Sequence, residues 1–521
     1  MRRVSANIAL WAALLSTGVA GFGCSGTALT ALDRQPVEAS SVVIEAPADA
    51  SRPPYHFAAE DERLLDAVQH GAFNYLWTAV APETGMVRDR TSKPVVSVAG
   101  VGFQLSALPI GVERGWVTRA AAEERALLIV RSLAGNPNNR KAGLFYHFLD
   151  GTNAGQPQEA YERVVSTIDS TLLFCGIITA GEYFGGEVKA VGGALVNGAD
   201  WSFFVAAPGV PMTGPAKDYE QGFMSLAWKP NSDSAPTGEG KLVPYFWLDA
   251  GDEQKLTVFL ANSCTKAEHR VPAEMYYKLR RQLGSHADTG PFAWFPYSGA
   301  LFTHFFAHCW INYAAVGPDD PQRFTTWPRA RVDWWENSRR AIRMHQIKTT
   351  ARTDLFPGLG ENAWGLTASD AQGSYAVPGL YPARIVFKEE LEGRDFSSFR
   401  PKDDFGDGTI APYGAGSAIM FDPVAAVKAM RRFRELKNAD GSPLVWRDPV
   451  AGGFGFRDSF SIRTDWAAPD CLAIDQGPLI VAIENARTGL IWNLFASNAA
   501  IRDGFRRLGL KPPAAAKTPG R

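Results

Sequence analysis

The chain has 521 residues, and its 53 basic and 54 acidic side chains leave a formal net charge of -1. Because these charges are spread along the sequence, there is no footprint for nucleic acid or an anionic membrane surface, and a neutral partner is expected. The 15 Trp and 31 Phe are enough to furnish both a core and a binding groove.

Met1-Arg2-Arg3, the apolar run from Ile8 to Val19 and the small residues up to Cys24 read as an export signal over 1–24, too short to span a bilayer. Gly21-Phe22-Gly23-Cys24 approaches a lipoprotein cleavage box but departs from it at Gly21 and Phe22, which leaves a lipid anchor on Cys24 open beside ordinary cleavage. Residues 25–57, with Pro36, Pro47, Pro53 and Pro54, read as a flexible linker. From there to residue 511 one helical domain is expected, followed by a disordered tail over 512–521. Periodicity predicts amphipathic helices at 60–79, 118–133, 272–284, 333–346 and 423–437. Alternating with them are apolar helices at 98–112, 166–185, 252–262, 301–315 and 476–494. A buried helix followed by an amphipathic one, repeated, is the pattern of two concentric helical layers. Gly- and Pro-rich loops at 203–245 and 354–420 are expected to shape a binding face, with hairpins near Phe145 and Gly453 at its mouth. Cys175, Cys264, Cys309 and Cys471 are widely spaced in hydrophobic surroundings and read as buried thiols, without a metal-binding pattern.

Two acids open apolar helices. Asp169 follows Ser166 at capping-box spacing, so taken alone it reads first as a structural cap and second as a functional carboxylate. Glu253 occupies the same kind of position after Trp247, and an N-terminal helix acid is its structural reading. If the buried helices run parallel, the two carboxylates face each other across one cleft, the arrangement glycoside hydrolysis requires. The helix dipole would hold Glu253 ionised, so a proton donor there needs Asp252, or burial beneath Tyr245, Phe246 and Trp247, to oppose it. Asp475, before Gln476-Gly477-Pro478, reads as a helix cap opening onto the same face, and Glu484 as a buried polar anchor.

A run of motifs then resembles the bacterial glycoamylase-like family: Phe73-Asn-Tyr-Leu-Trp, Thr84-Gly-Met-Val-Arg-Asp-Arg, Phe145-Tyr-His-Phe-Leu-Asp, Ser166-Thr-Ile-Asp, Trp364-Gly-Leu-Thr-Ala-Ser-Asp, Gly453-Phe-Gly-Phe-Arg-Asp and Ile474-Asp-Gln-Gly-Pro, in that order from about residue 70 to 508. That family includes the endo-β-1,2-glucanases of glycoside hydrolase family 144. The resemblance implies an all-α fold, a single (α/α)6 toroid. It also implies endo-hydrolysis of β-1,2-glucan to sophoro-oligosaccharides with inversion, no metal or organic cofactor, and an exported monomer in the periplasm or anchored at the outer membrane. Carried over, Asp169 and Glu253 are active-site acids. Glu253 is expected as general acid and Asp169 as general base, while Asp475, Trp247, Trp310 and Trp364 hold the sugar. Relatives have an acid where Val164-Val165 stand, leaving Glu162 as the nearest carboxylate, and Gly-Tyr-Asn-Glu where this chain has Ala250-Gly251-Asp252-Glu253. Glu162 and Asp252 therefore join the expected substrate contacts. A hydrolase of another linkage, a non-catalytic glycan-binding lipoprotein and a lyase on the same fold stay open beside the leading reading.

Overall fold

The computed structural model describes residues 39–157, 163–387 and 402–513. The export signal, Cys24, Glu162 and residues 514–521 lie outside them. The described chain is rich in helix, with small two- and three-stranded sheets set between the helices. In chain order the helices are α1 (Ala59–Thr78), α2 (Val98–Glu113), α3 (Arg119–Gly135), α4 (Thr167–Phe184), α5 (Gly186–Asn197), α6 (Asp252–Ser263), α7 (Ala273–Lys278), α8 (Tyr313–Val316), α9 (Trp334–Thr350), α10 (Pro412–Ser417), α11 (Pro423–Glu435), α12 (Ala473–Arg487), α13 (Leu490–Ser497) and α14 (Ala499–Arg507).

Polar caps set several of the starts. Thr118 accepts from the Ala121 N–H at 3.2 Å, Asp333 from Trp335 and Glu336, and Asp422 from Ala425. Nearly every residue of α2, α4 and α12 is buried, whereas α1, α3 and α11 bury one face only. The buried helices pack on one another, α12 on α2, α2 on α4 and α4 on α6, and the amphipathic ones lie against them: α1 on α12, α3 on α2, α11 on α10. The alternation in the sequence thus corresponds to a buried and a covering set of helices.

The α2–α4 contact is close because two helical glycines face each other. A Cβ on Gly176 would lie 2.0 Å from the Gly102 carbonyl oxygen, and one on Gly102 would lie 2.1 Å from that of Leu172. Backbone cannot yield cheaply there, so we expect Gly176→Ala to lower stability by about 1–3 kcal/mol, read as a fall in thermal midpoint.

Four expectations need correction. The linker does not extend through 39–57, because Val43–Ile44 pairs in parallel with Arg331–Val332 and Arg52 donates to Asp333 at 3.0 Å. Residues 301–315 form short 3-10 turns and α8 instead of one helix. Their N–H groups are taken by other elements: Phe302 by Thr367 Oγ1 at 3.1 Å and Ala307 by Asp252 Oδ2 at 3.0 Å. The helix expected at 272–284 stops at Lys278, where Arg280 exchanges backbone bonds with Leu248 and Ala250. Finally, the stretch 476–494 is two helices, broken at Gly489 with φ +71°.

Candidate active site

The starts of α4 and α6 meet at one cleft. α4 leaves a short strand, Val165–Ser166, that pairs with Ala227–Trp228. The Ser166 hydroxyl accepts the Asp169 N–H at 3.2 Å, as the capping spacing requires. α6 begins after Gly251, which offers no capping side chain. Just inside the two starts the helices are joined by Thr171 Oγ1 and Thr257 Oγ1, 3.4 Å apart. Asp169 and Glu253 thereby line the same cleft, with a cavity of about 150 Å³, together with Asp475 from the first turn of α12.

Glu253 is pushed up to about 8, first by burial and then by the negative charges of Asp169 and Asp252. These effects outweigh the helix dipole, which acts the other way. The expected cover is only partly there, since Tyr245 is 39% exposed. Asp169 Oδ1 lies 3.5 Å from His147 Nε2, and the His147 ring stacks on Phe148 with centroids 3.9 Å apart. Backbone bonds hold His147 in place: its N–H donates to the Val164 carbonyl, and its carbonyl accepts from Val98, both at 3.0 Å.

The opposite wall is a network of carboxylates around Arg90. Arg90 Nη1 reaches both Asp370 oxygens at 3.1 and 3.2 Å, its Nε meets Asp89 at 3.4 Å, and Asp470 lies 3.9 Å away. Asp470 is held by the hydroxyls of Thr91 and Ser92, each at 2.6 Å, and the Asp370 N–H donates to Asp458 at 2.7 Å. Asp458 and Asp475 hydrogen-bond to each other, which requires a proton between them. Burial raises both, Asp458 to about 6 and Asp475 well above the carboxylate range. The Asp458–Asp475 pair therefore shares a proton beside the cleft.

Four expected contacts are placed elsewhere. Trp247, Trp310, Trp364 and Asp252 do not line the cleft. Trp247 lies behind α4 and donates from Nε1 to Thr167 Oγ1 at 2.9 Å, and Trp310 donates to Ser106 at 3.0 Å. Trp364 is wholly buried, and Asp252 is 1% exposed and paired with Lys255. Glu484 is the anchor expected, taking Arg114 at 2.8 Å and Gln69 at 3.1 Å. The aromatic lining comes instead from Phe148, Phe302, Phe306, Tyr375 and Tyr413. These residues, with His147, Asp89 and Arg90, escaped the sequence reading. The only available signal was that several sit inside the family-like runs, where each looked like an ordinary turn or core position.

A family model described as "Putative glucoamylase" matches residues 245–499, which include Glu253, Asp370, Asp458 and Asp475. Over these residues the chain is similar to the glycoamylase-like family. Among relatives of that kind, the chain is 26% identical over 475 residues to an exo-β-1,2-glucooligosaccharide sophorohydrolase (non-reducing end) from Parabacteroides distasonis. That alignment takes in 86% of this chain and 58% of the relative, so the chain spans little more than half the relative's length. A solved glucoamylase-type structure from Bacteroides uniformis superposes with a TM-score of 0.68 at 25% identity, covering 88% of this chain and 99% of that one. An endo-β-1,2-glucanase from Chitinophaga pinensis, crystallised with sophorotriose and glucose, also gives 0.68, at 22% identity over 88% of this chain and 100% of that one. This last likeness concerns the fold alone.

Proposed function

We propose that the chain is a glycoside hydrolase of the (α/α)6 toroid type that cleaves β-1,2-linked glucan internally, with inversion, releasing sophoro-oligosaccharides. What supports this reading is that Glu253, a carboxyl pushed up to about 8 chiefly by burial, lines one cleft with the second acid, Asp169. In the proposed reaction Glu253 gives its proton to the glycosidic oxygen as the bond from that oxygen to C1 breaks. Asp169 takes a proton from a water, directly or through a second one, as the water oxygen bonds to C1 from the other face. Asp475 and Arg90, which line the cleft, meet sugar hydroxyls, and the aromatic lining contacts the ring faces. The name of the Parabacteroides distasonis relative supports a β-1,2-linked glucan as the substrate.

The test is incubation with a panel of linkage-defined glucans, with products separated by size. Sophoro-oligosaccharides of several lengths from β-1,2-glucan alone support the reading. Sophorose alone from chain ends would replace the endo mode with an exo one, and cleavage of a different polymer would replace the linkage. Binding without products would favour a non-catalytic glycan-binding protein. The reading includes export with a lipid on Cys24, for which Cys24→Ser should move the protein from the membrane fraction to the soluble one. An unchanged distribution would remove the anchor.

A further inference from the structure

Directly behind the candidate proton donor lies an ion pair shut away from water. Asp252 Oδ1 meets Lys255 Nζ at 2.8 Å, with the two side chains 1% and 2% exposed. Its second oxygen, Oδ2, accepts the Ala307 N–H at 3.0 Å, so both oxygens are fixed, one within α6 and one by the 3-10 segment across from it. Lys255 is held in turn over the Trp334 ring at 3.5 Å, with Tyr313 at 5.4 Å. A charged pair costs several kcal/mol to bury and often contributes nothing net to stability, so its location invites a functional explanation. Asp252 immediately precedes Glu253 in the first turn of α6, a turn without a capping side chain.

We propose that Asp252 is a positioning residue for Glu253: pinned by Lys255 and Ala307, it fixes the first turn of α6 and holds its carboxylate beside the proton donor. This inference rests on the hydrolase reading for its consequence in catalysis, but the electrostatic effect stands apart from any substrate. Asp252 is itself one of the charges that raise Glu253, after burial and Asp169. The other groups nearby leave it that role. His308 lies 3.9 Å from Asp252, and both His308 and His304 are depressed by burial, His304 to about 3, so neither is cationic at neutral pH. Lys255 is lowered by burial and supported by Asp252, and Arg281 beyond it is committed to Asp319 at 2.7 Å. From α4, Asp169 adds a second negative charge on the cleft side, with His147 behind it, while Arg90 on the far wall is held among Asp89, Asp370 and Asp470.

The experiment follows Glu253 by infrared titration, using the protonated carboxyl band that Glu253→Gln removes, and in parallel the pH dependence of kcat/KM on β-1,2-glucan. In Asp252→Asn the Glu253 band should vanish at a lower pH, and the basic limb of kcat/KM should move down with it. If Asp252→Asn does not fold because Lys255 is left unpaired, Asp252→Asn with Lys255→Met removes both charges and should show the same direction. An unmoved band in a folded variant overturns the proposal. A band that moves in a protein cleaving no glucan upholds it and sinks the hydrolase reading instead. Lost activity with band and limb unmoved would assign Asp252 a purely structural role, which also overturns the proposal.

Discussion

Glu253→Gln should lower kcat on β-1,2-glucan by about a hundredfold to ten-thousandfold, the usual range for a general acid, while the protein folds as before. Gln has the same shape as the protonated acid and can donate a hydrogen bond, yet it has no proton to give to the leaving oxygen. The residue sits in the first turn of α6 without capping the helix, so the substitution touches no structural bond of that end. The pH profile sharpens the expectation. A proton donor works only while protonated, so wild-type kcat/KM should hold through neutral pH and fall as pH rises through about 8, the value to which burial and the charges of Asp169 and Asp252 push Glu253. That limb should be absent from the residual activity of Glu253→Gln. A wild-type limb near the ordinary glutamate range would mean that the site is wetter than its burial indicates.

Asp169→Asn should cost at least about a hundredfold in kcat for a complementary reason. The cap at the start of α4 uses the Ser166 hydroxyl and the Asp169 backbone N–H, so it survives the change, as does the backbone hold on His147. What is lost is the charge that accepts a proton from water. Added azide, a nucleophile that needs no deprotonation, should therefore restore turnover in Asp169→Asn and yield a glycosyl azide, but should not restore Glu253→Gln. Because the Asp169 charge also raises Glu253, the basic limb of the variant should lie below that of the wild type. Near-normal turnover without azide would remove Asp169 from the mechanism.

Much of the helical organisation and both acids were legible in the sequence. An acid in the first turn of an apolar helix combines two conflicting local signals, and it occurs twice, at Asp169 and Glu253. The second wall was not legible. Asp89, Asp370, Asp458 and Asp470 each lie in a loop or short hairpin where an acid is an ordinary turn residue, and only the fold gathers them around Arg90. The tryptophans misled because a large aromatic ring suits a core as well as a sugar platform. Their indole N–H groups find hydroxyls in the interior, Thr167 for Trp247 and Ser106 for Trp310, and nothing local in the sequence announces such partners. The 301–315 run was misread for a related reason. An apolar stretch is compatible with several backbone forms, and bonds from Thr367 and Asp252, distant in sequence, decide between them.

The most direct measurement is the release of reducing ends from purified β-1,2-glucan, followed side by side for the wild type and Glu253→Gln below the basic limb, near neutral pH, with polysaccharide binding measured on the same samples. We expect steady release by the wild type, about a hundredfold less or lower by the variant, and comparable binding by both. Equal release by the two proteins, or binding by the wild type without release, would contradict the assignment of Glu253 as the proton donor of a β-1,2-glucan hydrolase.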